Sequence, residues 1–297
     1  MPFGLLTGLG AALSWGTMDV VSALASRRVG SLIVTAGVIV VSAVLLGLIA
    51  LATGTALPDD AATLATASVL GLIGAGAYFA YFNGLRVGPI SVVSGMVAAY
   101  GGLTVVLSVA FRGETLTATQ AFGAAIATAG VILTGVAFEG GLRGTRFAGP
   151  GVIFAVVALV LFSLMAITTD IALESAGWLE VLLVSRLVTA AIAIGVVAAL
   201  AARRAVSVVP GSSQTSLIPR GRVLVAILLA GVLDVLGLVS FTIGLETAPT
   251  WMVGLASSFG PAVTILVAVA FLGERLKRIQ WVGLAGVAVG MVAIALP

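Results

Sequence analysis

The sequence has no cysteine and no histidine, and only 8% of its 297 residues are charged. Without cysteine the chain forms no disulfide and no thiolate metal site, and without histidine it lacks the commonest general base and metal ligand. A soluble domain carries roughly 25% charged residues, so this chain cannot cover a water-facing surface. Its basic residues are scattered in short loops, which argues against nucleic-acid binding. These absences predict an integral membrane protein that holds no metal and no cofactor.

Long apolar runs are what the sequence has in abundance, since 61% of its residues are hydrophobic. A helix needs roughly 20 mainly apolar residues to cross about 30 Å of hydrocarbon, whereas barrel strands would alternate apolar and polar residues over about 10 positions. The runs here are continuous, so the predicted fold is all-α with ten transmembrane helices. The predicted spans are residues 4–24, 31–52, 63–83, 89–111, 117–138, 148–169, 178–200, 222–243, 250–272 and 278–296.

The chain repeats itself with a shift of 160 residues. FRGETL at 111–116 aligns with FLGERL at 271–276. The matches continue downstream, where Gln120, Gly123, Ala125 and Gly130 align with Gln280, Gly283, Ala285 and Gly290. The register needs no gap from the third to the fifth span of each half. We therefore predict two similar five-helix halves, residues 4–138 and 148–296.

An odd number of spans per half predicts that the second half lies upside down relative to the first, as an inverted repeat. Loop charge supports this: Arg27 and Arg28 follow the first span, whereas Asp170 and Glu174 follow the equivalent sixth. Loops after odd-numbered spans hold twelve of the 14 basic residues. The positive-inside rule then places these loops in the cytoplasm and both termini outside a cell (inner) membrane.

The repeated ending, Gly-Glu-x-Leu at 113–116 and 273–276 before a glycine-rich helix, resembles the EamA-type drug/metabolite transporter superfamily. Ser14-Trp15-Gly16 in the first span and Pro261 in the ninth also match its pattern. The resemblance implies a ten-helix bundle and alternating access around a central cavity lined by helices one, three, four, six, eight and nine. It implies substrates such as amino acids, nucleotide sugars and sugar phosphates. Characterised bacterial members are usually drawn with cytoplasmic termini, whereas the charges here favour termini outside.

Two carboxylates lie inside apolar spans, Asp19 in the first and Asp234 near the middle of the eighth. An aspartate at a helix centre costs roughly 2.5–3.5 kcal/mol on insertion scales and usually faces the bundle interior. We predict that Asp234 faces the cavity and that Asp234→Asn keeps the fold but abolishes proton-dependent transport. The alternative for either carboxylate is a structural cap at a kink, or a position near enough to a helix end to reach water. Arg186 is expected to reach an interface or to pair with Glu180.

Aromatic and hydroxyl side chains at helical spacing complete the predicted substrate site. Trp15 and Asp19 share a helix face, and Gly260-Pro261 should free backbone carbonyls where they line a cavity. Lipid-facing packing is the alternative for each aromatic residue. Glu114 and Glu274 are expected to cap the helix that follows each of them. The predicted substrate-binding residues are Trp15, Asp19, Tyr78, Tyr81, Tyr100, Phe162, Asp234, Trp251, Ser258 and Pro261.

These features predict a secondary transporter, an exporter or exchanger of a small polar or amphipathic metabolite such as an amino acid. No Walker motif is present, so ATP is not the direct energy source, and protons are the candidate coupling ion. A passive channel or lipid scramblase is the alternative. A membrane-embedded enzyme would need clustered carboxylates or histidine, so no catalytic residue is expected. The expected partners are the substrate and the lipid bilayer, not nucleic acid, and the oligomeric state is left open.

Overall fold

The computed structural model describes residues 2–87, 93, 96–136, 150–206, 221–260, 262–264, 266–267 and 278–296. Within these residues the chain contains helices and no strand. Ten of the described helices have eight residues or more. They are α1 (Pro2–Val29), α2 (Ser31–Thr53), α3 (Ala61–Val87), α4 (Tyr100–Arg112), α5 (Ala118–Val136), α6 (Pro150–Leu173), α7 (Trp178–Val206), α8 (Arg222–Thr247), α9 (Thr250–Ser257) and α10 (Arg278–Ala295).

Six of the described helices are long and apolar enough to cross a membrane, namely α2, α3, α6, α7, α8 and α10. Two shorter apolar helices cover Met96–Arg112 and Ala118–Leu133. Large apolar side chains such as Leu51, Phe111 and Ile153 are exposed on the outside of the bundle, where lipid would remove them from water. The structure thus confirms an all-helical, multi-pass membrane protein, and the crossing of all ten helices stays a prediction.

The contacts between the two halves keep the same pattern when the halves are exchanged. The helix α1 packs on α8, and its exchanged counterpart is the contact of α6 with α3. The contacts of α2 with α8 and of α1 with α9 likewise have counterparts in α7 with α3 and α6 with α4. Three further contacts join equivalent helices, namely α2 with α7, α4 with α9 and α5 with α10. A two-fold relation between the halves produces this pattern.

The crossing of α5 and α10 shows the same relation at the level of single residues. A Cβ built on Gly123 would lie 2.8 Å from the carbonyl oxygen of Gly290, and one on Gly130 would lie 2.6 Å from that of Gly283. The shift of 160 residues converts the first contact into the second. Only glycine allows the two backbones to approach this closely, which explains why these glycines occur in both halves.

Helix ends gather into two groups, which define the two ends of the bundle. At the N-terminal end, where α1 begins, Gly4 packs against Ala248 just after α8. Arg112 at the end of α4 forms an ion pair there with Asp170 near the end of α6. At the opposite end, where α1 and α3 end, a Cβ on Gly84 would lie 3.5 Å from the carbonyl oxygen of Gly151 at the start of α6.

Glu114 caps a helix of the other half, so the prediction that it caps the following helix is wrong. Its two carboxylate oxygens accept hydrogen bonds from the backbone N–H groups of Thr250 and Trp251, at 2.7 and 3.1 Å. These N–H groups begin α9 and have no acceptor within their own helix, and a carboxylate there also offsets the positive end of the helix dipole. Glu274, the equivalent residue, lies outside the described residues.

Candidate substrate cleft

A cleft lies in the middle of the bundle, between its two halves. It encloses about 840 Å³ of empty space, including its mouth. Helices α1, α3, α4, α6 and α8 contribute to its wall, as do the end of α9 and the residues beside α4 and α9. The lining residues are Trp15, Met18, Asp19, Tyr78, Tyr81, Phe82, Val97, Ala98, Tyr100, Phe162, Met165, Ala166, Phe241, Ser257 and Gly260. The lining therefore comes from the six helical regions that the family resemblance implies.

The wall of the cleft is built around the ring of Phe162 on α6. Its centroid lies 5.7 Å from that of Tyr78, 6.2 Å from that of Tyr81 and 6.0 Å from that of Tyr100. The first two contacts are edge-on, at interplanar angles of 88° and 75°, the geometry that aromatic quadrupoles favour. A single ring of the second half thus positions three tyrosines of the first half.

Hydroxyl groups link the two halves at the base of α4. The hydroxyl of Tyr100 forms a 2.9 Å hydrogen bond with that of Ser257 at the end of α9. Ser163 on α6 donates to the backbone carbonyl of Tyr100 at 3.0 Å. The hydroxyl of Tyr100 is therefore bound by α9 and its backbone by α6, while its ring lines the cleft.

Asp19 is the only charged side chain among the described residues that line the cleft. It is half-buried and lies one helical turn beyond Trp15, so both face the cleft from α1. No basic side chain of the described residues lies within 4.0 Å of its carboxylate. The cleft thus combines an aromatic wall with one unpaired carboxylate.

Asp234 lies in a buried ion pair beside the cleft rather than in its lining, which corrects the predicted position. Nη2 of Arg186 lies 2.9 Å from Oδ2 and 3.1 Å from Oδ1 of Asp234. The two side chains are only 5% and 2% exposed. The prediction that Arg186 reaches an interface or pairs with Glu180 is therefore wrong. Mid-span charges of opposite sign on adjacent helices were a signal in the sequence for this pair.

Tyr78 connects the ion pair to the cleft. Its hydroxyl accepts a hydrogen bond from Nη2 of Arg186 at 3.3 Å and donates one to Oδ1 of Asp234 at 3.4 Å. The guanidinium carbon of Arg186 also lies 5.4 Å from the centroid of the Tyr78 ring, within the range of a cation–π contact. The same ring lines the cleft. Any movement of Tyr78 therefore affects both the ion pair of Arg186 with Asp234 and the wall of the cleft.

A smaller space, about 380 Å³ including its opening, lies on the other side of Tyr78. It is closer to the N-terminal end, where the lining residues Leu70, Leu182 and Thr242 are found. Arg186 also contributes to its lining. Three residues line both spaces and therefore form the wall between them, namely Tyr78, Met165 and Phe241.

The other predicted site residues have different positions. Trp251 and Ser258 are each 1% exposed and do not contribute to the described lining of the cleft. Ser258 donates to the carbonyl of Leu255 in its own helix at 2.7 Å, and its neighbour Ser257 faces the cleft instead. Pro261 lies outside the described residues. Phe241, two turns after Asp234 on α8, lines the cleft although the sequence pattern does not single it out.

Comparison with known proteins gives one family and one fold. A family model described as the EamA-like transporter family matches residues 2–136 and 149–296. A search of curated proteins finds no match. One solved crystal structure, described only as that of a protein, superposes with a TM-score of 0.76 at 22% sequence identity. The alignment covers 98% of this chain and 96% of the other, so the two chains share the same fold.

Proposed function

The chain belongs to the EamA-like transporter family, and from this premise we propose that it is a secondary transporter of a small polar or amphipathic metabolite. The membership confirms the predicted resemblance and makes the chain a membrane transporter of the drug/metabolite transporter superfamily. The proposal adds that the protein exports or exchanges its substrate by alternating access. Proton coupling or exchange would supply the energy.

The observation that supports the proposal is the position of the cleft between the halves. Tyr78, Tyr81 and Tyr100 come from the first half, and Phe162 and Ser257 come from the second. A carrier works by moving one half against the other around such a site.

Contacts between the halves hold the N-terminal end of the bundle together. Arg112 pairs with Asp170 and Glu174, and Glu114 binds the start of α9. With termini outside the cell, as the loop charges indicate, this end is the outer one. We infer that these contacts separate when the carrier opens outward.

Counterflow in proteoliposomes tests the proposal. Vesicles that contain the protein are loaded with a mixture of amino acids and aromatic amines. Each compound is then added outside in radiolabelled form, and its uptake is measured. A carrier gives uptake that saturates and that the internal pool accelerates. Uptake linear in concentration would indicate a channel, lipid flipping without solute uptake would indicate a scramblase, and absence of any counterflow would contradict the proposal.

A pair of phenylalanine variants makes the test specific for the cleft. Phe162→Ala removes the ring that contacts three tyrosines. We expect this variant to reduce counterflow by at least about tenfold, because the tyrosine rings that line the cleft are then no longer held in position. Phe122→Ala removes a ring that is 66% exposed on the outside and should leave counterflow unchanged. Equal effects of the two variants, at equal thermal stability, would show that the cleft is not the substrate path.

A further inference from the structure

The chemistry of the cleft indicates the charge of its substrate. We propose that the cleft binds small organic cations, amines with an aromatic or bulky apolar body, with Asp19 opposite the ammonium group. This inference rests on the proposed transport function and adds the substrate class. Three observations carry it: the unpaired carboxylate, the rings around it and the position of the nearest buried cation.

The carboxylate of Asp19 has a charge that the protein does not balance locally. It is the only charged group of the described lining, and the three ion pairs of the described residues do not include it. An ionised carboxylate held away from water is costly unless it is paired. A cation that enters the cleft would pair with the Asp19 carboxylate. The uncompensated negative charge of the empty cleft therefore favours the binding of a cation.

The rings around Asp19 suit the rest of such a substrate. Trp15 lies one turn away on the same helix face, and Phe241 packs against it with centroids 5.7 Å apart. Tyr78, Tyr81 and Tyr100 surround Phe162 on the α3, α4 and α6 side. Electron-rich ring faces attract ammonium groups, and the attraction is stronger where water is excluded. The same rings offer apolar contact area to the body of the substrate.

Arg186 does not reverse this charge preference, although it is close to the cleft. Nη2 of its guanidinium donates a hydrogen bond to Oδ1 of Asp234 at 3.1 Å and lies 2.9 Å from Oδ2, so the pair is neutral as a unit. The ring of Tyr78 separates it from the cleft, and the described lining contains no basic residue. A carboxylate or phosphate in the cleft would therefore lack a counter-charge and would lie near Asp19.

Three compounds with the same ring and side-chain length test the charge preference: phenethylamine, phenylalanine and phenylpropionate. All three contain a phenylethyl skeleton; phenethylamine carries an ammonium group, phenylpropionate a carboxylate and phenylalanine both. Binding to the detergent-purified protein is measured by equilibrium dialysis near neutral pH. We expect phenethylamine to bind at least about tenfold more tightly than phenylpropionate, since a bound charge pair contributes at least this much. Equal affinities, or a preference for the anion, would overturn the inference.

Variants of Asp19 locate the effect. Asp19→Asn should weaken phenethylamine binding by about tenfold or more and leave phenylpropionate no weaker, whereas Asp19→Glu should keep the preference for the cation. Asp60→Asn, which removes a carboxylate outside the cleft, should bind all three compounds like the parent. An unchanged preference in Asp19→Asn would overturn the inference. Where Asp19→Asn does not fold, the inference is overturned if the parent, or a folded Asp19→Glu variant, does not bind phenethylamine more tightly than phenylpropionate.

Counterflow of the same compounds separates this inference from the transport proposal. Counterflow of phenylalanine without binding of phenethylamine would reject the cation site and keep the carrier. Asp19-dependent binding of phenethylamine without counterflow of any compound would keep the site and reject the carrier. Saturable, Asp19-dependent exchange of phenethylamine would support both.

Discussion

The N-terminal end of the bundle and the central cleft join the same two halves by different chemistry. At the N-terminal end the links are ionic: Arg112 pairs with Asp170 at 2.6 Å and with Glu174, and Glu114 caps α9. In the cleft the halves meet through aromatic rings and one hydroxyl pair, Tyr100 with Ser257. Directional ionic links hold one geometry, whereas rings at 5.7–6.2 Å can slide with little loss of contact.

The difference shows which contacts can change in a transport cycle. Between the two regions, the buried pair of Arg186 and Asp234 joins α7 to α8 within the second half and contacts Tyr78 of the first. Its side chains are too deeply buried for water to replace their contacts during a transport cycle. We therefore assign the pair to the part of the bundle that stays fixed, which we call the scaffold. The ion pairs at the N-terminal end are partly exposed, at 23% for Arg112, 14% for Asp170 and 60% for Glu174, and such pairs are weak enough to break and re-form.

The largest expected effect is on the scaffold pair. Arg186→Leu leaves Asp234 as a buried charge without a partner, and it should lower the free energy of unfolding by about 3–5 kcal/mol. The double variant Arg186→Leu/Asp234→Leu should recover most of this loss, because no buried charge remains. Denaturant titration of the purified proteins measures both. Equal stability of the single and double variants would show that the two side chains are not coupled.

The same reasoning revises the expectation for Asp234→Asn. As the partner of Arg186, this carboxylate stabilises the fold, so the variant should lose stability rather than keep the fold and lose only proton dependence.

A smaller effect is expected at the cap of α9. Glu114→Ala removes the acceptor of two backbone N–H groups, at 2.7 and 3.1 Å, and should cost about 0.5–2 kcal/mol. Glu246→Ala, at an exposed carboxylate near the end of α8, serves as the control and should change stability by less than about 0.5 kcal/mol. Similar losses in both variants would mean that charge alone, not the cap, is responsible.

The smallest effect is a pH dependence at the start of α3. Thr63 donates from its backbone N–H and its hydroxyl to Oδ2 of Asp60, at 2.8 and 2.9 Å, and these bonds hold the pKa of the carboxyl below its usual value of 3.8. A depressed pKa in the folded state stabilises the protein above the unfolded-state pKa. This stabilisation is lost as the pH falls through the folded-state pKa.

Thermal unfolding of parent and Asp60→Asn from near neutral pH down to about pH 3 checks this. The parent should be slightly more stable near neutral pH, and the difference should shrink only below about pH 4. A difference that stays constant over the range would contradict the assignment.

The membrane fold could be predicted because its determinants are local or repeated. Continuous apolar runs indicate spans without any knowledge of their neighbours, and the match of 111–116 with 271–276 indicates two related halves. The glycines of the repeat also proved to be packing positions, as Gly123 and Gly290 show. These conclusions do not depend on which helix lies beside which.

The errors concern partners that only the tertiary structure brings together. Glu114 caps a helix 136 residues away, and Arg186 meets Asp234 across a loop, so local spacing pointed to the wrong neighbours. In α9, Thr250–Ser257 is buried on every side, and an apolar stripe therefore could not identify the face toward the cleft. The helical spacing predicts Ser258 in the lining of the cleft, whereas Ser257 lines it in the structure.

The central claim is that the ionic links at the N-terminal end must separate during transport. The natural absence of cysteine allows a direct test with Arg112→Cys/Asp170→Cys, joined by a short bifunctional thiol reagent across a contact that measures 2.6 Å in the parent. The control is Thr53→Cys/Thr55→Cys, whose hydroxyls lie 2.8 Å apart within one half. Linking the first pair should abolish counterflow until a reductant that cleaves the linker restores it, while linking the control pair should leave counterflow unchanged. Full counterflow with the first pair linked would contradict the account.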